Sequence, residues 1–104
     1  MLEGIIELAE EVEVFIGPRT SGESIVAAWA AHTFHIPLIS PSATTPSLSS
    51  RGTFSYFFRS TASDSFQSQA IADLVNLLQV RELGVLYVNE AYGEGGLHVL
   101  SEQL

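Results

Sequence analysis

Four short runs of apolar and β-branched residues alternate with longer stretches of helical periodicity, which limits the chain to few architectures. The runs fall at residues 12–16, 38–39, 56–58 and 83–88. Strands separated by helices pair in parallel, because each crossover returns the chain to the same end of the sheet. The pattern therefore predicts an α/β fold, a parallel sheet with helices on both faces. Trp29 and the aromatic run 56–58 are predicted to lie in its core.

The stretches between these runs are predicted to be helical, and two of them begin with a capping pattern. The first predicted helix covers residues 2–11, and the last begins at residue 97. Thr20 with Glu23 matches the capping box, in which two side chains three positions apart satisfy free backbone N–H groups at a helix start. The pair Asp64 and Gln67 has the same spacing. Both pairs are therefore predicted to open helices.

Hydroxyl-bearing residues concentrate where the predicted strands end. Segments 17–22, 40–45 and 89–93 make up 17 of the 104 positions and hold 7 of the 22 Ser, Thr and Tyr residues. In parallel sheets, ligands bind in the crevice at the carboxyl ends of the strands. These three segments are therefore predicted to form a binding site. The helix start near Ser21 suits a carboxylate, because the first N–H groups of a helix lack intrahelical partners.

Length and charge restrict the domain count and the partners. A chain of 104 residues has room for one domain. Its 12 acids and 4 arginines give a net charge of −8, which repels phosphate backbones and anionic lipid surfaces. Neither nucleic acid nor a membrane surface is therefore a predicted partner. The absence of cysteine removes disulfides and thiolate chemistry. Glu3 and Glu7 stand where a secretory signal carries positive charge, so no signal peptide is expected here.

The residues predict no catalytic or metal site. Segment 17–24 nearly matches the phosphate loop GxxxxGK, but Glu23 replaces the lysine that the phosphates need. Helix capping and a binding role explain this segment equally well. The GxSxG turn of hydrolases is absent. With no cysteine and few aspartates, His32, His35 and His98 make a poor metal site. We expect no enzymatic activity and no cofactor.

Four segments together resemble a known superfamily. They read IGPRTSGES, IPLISPSATTPSLS, YFFRSTASDSFQSQAIADLV and LYVNEAYGEGG, from Ile16 to Gly96, and the resemblance covers residues 14 to about 97. In order and spacing they are similar to the type 1 periplasmic-binding-protein superfamily. That superfamily includes branched-chain amino acid binding proteins of ABC transporters. It also includes the extracellular ligand-binding regions of class C G-protein-coupled, ionotropic glutamate and natriuretic-peptide-type receptors.

The resemblance implies a two-lobed domain that closes on a ligand like a Venus flytrap. Residues 1–104 are expected to form one truncated domain, a partial first lobe. The second lobe, and a membrane domain or permease, are expected to lie outside this chain. Dimerisation through the first lobe is a further expectation.

The resemblance also implies roles for five residues. Ser21 matches the serine whose hydroxyl and N–H hold the α-carboxylate of an amino acid. Ser42 and Thr44 match residues that contact the α-amino group and carboxylate through a carbonyl and a hydroxyl. Asp64 matches a position that binds the ammonium in some receptors, and a role as helix N-cap is equally consistent with it. Tyr92 matches the tyrosine whose ring packs over the ligand.

The predicted function is an extracellular or periplasmic domain that binds a small amino-acid-like molecule as the sensing module of a membrane receptor. Two alternatives stay open: the solute-binding protein of an ABC-type branched-chain amino acid transporter, and a lobe with only a structural role. The absence of cysteine favours a bacterial binding protein or a divergent eukaryotic receptor, because animal receptor ectodomains of this type usually carry disulfides. The third segment and the sequence YGEGG are similar to receptor versions.

Overall fold

The computed structural model describes all 104 residues, in four α-helices, three strands and one short 3-10 helix. In chain order the elements are α1 (Leu2–Leu8), β1 (Phe15–Ile16), α2 (Ser21–Phe34), β2 (Leu38–Ser40), the 3-10 helix (Pro46–Ser49), β3 (Phe57–Arg59), α3 (Asp64–Leu77) and α4 (Ala91–Gln103). None of the helices combines the length and the apolar character needed to cross a membrane.

The three strands form one parallel sheet in the order β1-β2-β3, which confirms the predicted α/β fold. In its central row Phe15 lies opposite Leu38, and Leu38 lies opposite Phe57. Leu38 and Phe57 are buried, whereas Ile39 and Phe58, which point to the other face, are exposed. Helices on both faces were expected, but this exposure shows that the second face of the sheet is uncovered.

Small side chains on α2 let the helix approach the sheet closely. Ser24, Ala27, Ala28 and Ala31 recur at helical spacing and are all buried. They belong to or border a core cluster of nine residues: Ile5, Ala27, Ala28, Ala31, Leu38, Ala43, Leu48, Phe54 and Phe57. Trp29 is 52% exposed at its place on α2, so the prediction that it lies in the core is wrong. It packs edge-on against Phe54 at the margin of the cluster instead.

The predicted cap of α2 is confirmed, and the predicted cap of α3 is one residue off. Thr20 is the N-cap of α2; its side chain accepts the N–H of Glu23 and donates to the Glu23 carboxylate. At α3 the N-cap is Ser63, which accepts the N–H of Ser65. Asp64 is therefore the first helical residue. Two short polar residues in succession can each cap a helix, and the backbone conformation selects the first of them.

Residues 83–88 do not form the predicted fourth strand. They form no regular secondary structure and pair with no strand, and all six residues are exposed. A strand needs a neighbour for its N–H and C=O groups, and periodicity in one segment cannot supply that neighbour. Helices α3 and α4, which this segment connects, pack against each other. The molecule is elongated, with principal extents of 55 × 22 × 20 Å.

Candidate functional site

Seven residues from the three predicted loop segments surround one open cavity of about 280 Å³. They are Arg19, Thr20, Ser21, Ser42, Thr44, Glu90 and Tyr92. The first three follow β1, the next two follow β2, and the last two lie at the start of α4. The structure thus brings together four of the five predicted ligand residues: Ser21, Ser42, Thr44 and Tyr92.

The start of α2 is fixed at one side of this cavity. Ser21 is the first residue of the helix and is buried. Its Oγ accepts the backbone N–H of Thr45 at 3.2 Å, so the Ser21 hydroxyl proton is still available to another acceptor. The first N–H groups of a helix carry the positive end of its dipole. This side of the cavity is therefore suited to a negatively charged group.

Hydroxyl groups join the loops that follow β1 and β2. Ser40 Oγ donates to the carbonyl of Pro18 at 2.6 Å and accepts the N–H groups of Ser42 and Ala43. Ser42 Oγ donates to the carbonyl of Arg19 at 2.8 Å. Because each bond crosses between loops or closes a turn, the two loops are held as one unit beneath the cavity.

Replacing Ser40 tests this connection. Ser40→Ala is expected to lower the free energy of unfolding by about 1–3 kcal/mol, because the buried N–H of Ala43 loses its acceptor. Ser24→Ala is the matched control, since Ser24 is equally buried and donates only one long bond to the same Pro18 carbonyl. It is expected to cost less than about 1 kcal/mol. If urea denaturation shows equal losses of unfolding free energy for the two variants, the role of Ser40 in joining the two loops is wrong.

Asp64 lies outside the cavity and lines a neighbouring one of about 360 Å³. It is 6% exposed and tied to Thr44 in both directions. Thr44 Oγ1 donates to Asp64 Oδ2 at 2.8 Å, and the Asp64 N–H donates to the Thr44 carbonyl at 2.9 Å. Both oxygens that accept these bonds have spare lone pairs. Asp64 Oδ2 and the Thr44 carbonyl oxygen can therefore accept a hydrogen bond from an ammonium group only through the lone pairs that these two bonds leave free.

Tyr92 is the one predicted residue that lines both cavities. It is the second residue of α4 and is 48% exposed, and its hydroxyl makes no hydrogen bond within the chain. The ring therefore stands between the two cavities, where a face is available to a positively charged group. Its ligand role, like those of the other four residues, stays a prediction.

Arg19, Thr20 and Glu90 also line the cavity. A binding role had been left open for Thr20 beside its role as a cap, and no individual role was predicted for Arg19 or Glu90. The carboxylate of Glu90 caps α4 by accepting the N–H groups of Tyr92 and Gly93. Because this helix was predicted to begin at residue 97, Glu90 lay outside its first turn and was not identified as a cap. A capping carboxylate can be recognised only where the start of the helix is known. The Arg19 side chain makes no hydrogen bond or ion pair and is exposed.

Comparison with known proteins adds a family to this geometry. The model of the family described as "Receptor family ligand binding region" matches residues 2–104. The chain is 38% identical over 102 residues to Glutamate receptor 3.4 of Arabidopsis thaliana, which covers 97% of the chain and 10% of that protein. It is 40% identical over 95 residues to Glutamate receptor 2.4 of the same plant, covering 91% and 10%. Metabotropic glutamate receptor 4 of Rattus norvegicus is 34% identical over 99 residues, covering 95% and 11%.

The chain thus spans about a tenth of the length of the curated relatives that it matches. The two plant relatives are named as glutamate receptors, and the rat relative is named as a metabotropic glutamate receptor. Similarity that extends over nearly all of this chain, at 34 to 40% identity, includes the three loop segments that surround the cavity.

Proposed function

The chain belongs to the receptor family ligand-binding region, within the type 1 periplasmic-binding-protein superfamily, and on that premise we propose that it forms part of the extracellular ligand-binding domain of a membrane receptor. The ligand that we propose is a small amino-acid-like molecule. The proposal includes a second lobe and a membrane domain elsewhere in the receptor, dimerisation through the first lobe, and no enzymatic activity.

The observation that carries the proposal is the cavity at the start of α2. An amino acid needs a site for its carboxylate a few ångströms from a site for its ammonium group. The helix start at Ser21 suits the carboxylate. The Tyr92 ring and the oxygens of Thr44 suit the ammonium. These groups come from segments far apart in sequence and meet at one cavity.

The receptor function is favoured over the transporter alternative by the relatives. Those with high similarity are named as glutamate receptors, in a plant and in mammals. Their names also make acidic amino acids the first ligands to test. A lobe with only a structural role is the competing explanation, because the hydrogen bonds of Ser21, Ser42 and Thr44 also hold the loops together. Binding experiments on the cavity residues distinguish the two.

The Tyr92 ring provides the test. Tyr92→Ala is expected to weaken binding by about 1–2 kcal/mol, roughly tenfold, while Tyr92→Phe retains most of the affinity. The ring face attracts the ammonium, and the hydroxyl makes no bond within the chain. The measurement is calorimetric titration of the receptor's ligand-binding domain with the twenty proteinogenic L-amino acids.

The matched control is Tyr87→Ala. Tyr87 is about equally exposed and lines only the neighbouring cavity. It is expected to leave affinity within about twofold of the wild type, the range of an exposed substitution away from the site. If no amino acid binds the wild-type domain, the proposed function is wrong. If amino acids bind and Tyr92→Ala binds as tightly as the wild type, the site is wrong.

A further inference from the structure

Arg59 joins the end of β3 to the loop that carries Thr44. Its Nη1 donates to the carbonyl of Thr45 at 2.8 Å and to the carbonyl of Ala43 at 3.2 Å. Its Nη2 donates to Ser49 Oγ in the 3-10 helix. A guanidinium presents several donors in a fixed plane, so one side chain can hold three acceptors at once.

The two carbonyls are those on either side of Thr44. The N–H groups at the same positions are also bonded, Ala43 to Ser40 Oγ and Thr45 to Ser21 Oγ. Ala43 and Thr45 are both buried, so each of these polar groups needs a partner within the protein. The backbone on both sides of Thr44 is therefore fixed. The side chain and carbonyl of Thr44 are left in one orientation, toward the cavity and Asp64.

The surroundings of Arg59 explain why this position needs an arginine and not a lysine. The side chain is half-buried and lies over the Phe57 ring at 6.0 Å. Burial lowers the pKa of the Arg59 guanidinium from its ordinary value, and the nearby Asp64 carboxylate opposes this change. A half-buried charge is stable only when its donors are used. A lysine here keeps the charge but carries all its donors on one nitrogen, so it has no second nitrogen to reach Ser49 while the first holds the two carbonyls.

Arg51 provides a comparison within the same region. It also donates to a backbone carbonyl, that of Phe57, at 2.8 Å, and it also lies over an aromatic ring, that of Phe58, at 5.3 Å. Its bond ends on β3 and does not touch residues 43–45. Arg51 therefore has the same chemistry as Arg59 without the link to the cavity.

We propose that Arg59 is a positioning residue for the ligand site, which holds the carbonyls of Ala43 and Thr45 so that Thr44 presents its oxygens at the cavity. This inference rests on the proposed function for the identity of the site. The hold of Arg59 on residues 43–45 does not, and it can be measured without a ligand.

The first measurement is amide hydrogen exchange. Arg59→Gln is expected to raise the exchange rates of the Thr45 and Asp64 amides roughly tenfold or more relative to amides in the centre of α2, because the loop that fixes both is released. Arg59→Lys is expected to fall between Arg59→Gln and the wild type, and it serves as the readout if Arg59→Gln does not fold. Arg51→Gln is expected to leave the two amides unchanged. Equal rates in the Arg59 variants and the wild type, or equal increases in the Arg51 and Arg59 variants, would overturn the proposal.

The second measurement is a double-mutant cycle on binding, with the tightest of the twenty L-amino acids as the probe. Arg59→Gln is expected to weaken binding roughly tenfold. Thr44→Val is expected to weaken binding less in the Arg59→Gln background than in the wild type, because Arg59 acts through Thr44. Tyr92→Ala is expected to add its full effect in both backgrounds. Additive effects of Arg59 and Thr44 would mean that Arg59 only stabilises the fold. If no amino acid binds, the proposed function fails, and the exchange rates alone decide whether Arg59 holds the loop.

Discussion

Phe57→Ala is expected to lower the free energy of unfolding by about 3–5 kcal/mol, the usual cost of removing a buried phenylalanine side chain. Phe57 is 1% exposed and is the largest fully buried side chain of the core. It lies opposite Leu38 in the sheet and within the nine-residue cluster under α2. The loss combines the transfer of apolar surface to water with the cavity that remains, because residues fixed in a sheet cannot move in to fill it. Chemical denaturation monitored by circular dichroism measures it.

Phe58→Ala is the matched control, one residue along the same strand. Phe58 points to the opposite face, is 44% exposed and contacts the guanidinium of Arg51. Losing this contact is expected to cost about 1 kcal/mol or less. The pair separates burial from strand propensity, since both substitutions remove an aromatic residue from β3. If the two variants lose similar free energies of unfolding, the assignment of one covered and one exposed face of the sheet is wrong.

Gly93→Ala is expected to lower the free energy of unfolding by about 3 kcal/mol, at the upper end of the range for inserting a methyl group where no space exists. A Cβ at this position would overlap the Val88 carbonyl oxygen and lie 2.8 Å from the Val88 nitrogen. These are backbone atoms, so the first turn of α4 or the segment before it must move. Tyr92 is the preceding residue, and such a movement also displaces its ring from the cavity.

Gly96→Ala tests the same substitution one turn later in the same helix. No atom lies within 4 Å of a Cβ there. Alanine is favoured over glycine in a helix interior by up to about 1 kcal/mol, so this variant is expected to be more stable than the wild type. Thermal unfolding should therefore shift in opposite directions for the two variants. A decrease in melting temperature for both would show that α4 tolerates no side chain on either face.

The helix starts show how far local signals determine this chain. Thr20 and Glu23 were predicted to cap α2 and do so, because the bonds of a capping box form between residues three positions apart. Residues 38–39 were predicted as a strand and lie within β2, since a short apolar run bounded by turn-forming residues is typical of a buried strand. The family was also evident from the order and spacing of four short segments, and the match to residues 2–104 confirms it.

The candidate site was predicted in its location and only partly in its composition. Ser21 and Thr44 meet at one cavity because β1 and β2 are parallel, which places their carboxyl ends together, whereas Tyr92 reaches the cavity from the start of α4. Asp64 lies in the neighbouring cavity and bonds to Thr44, a result of where α3 begins. Glu90 could not be assigned, because a capping carboxylate is recognisable only once the helix start is known.

Sequence by itself determined the properties that depend on neighbours along the chain: the cap of α2, the strand β2, the net charge and the family motifs. Tertiary structure alone decided whether an apolar segment finds a partner. Residues 83–88 have the composition of a buried strand and are unpaired, because pairing needs the N–H and C=O groups of a neighbouring strand, which the segment's own residues cannot supply. One face of the sheet is likewise exposed, at Ile39 and Phe58. Arg59 shows the same division. The sequence shows that the residue is an arginine, but its three acceptors lie 10 to 16 positions away along the chain and only folding brings them to it.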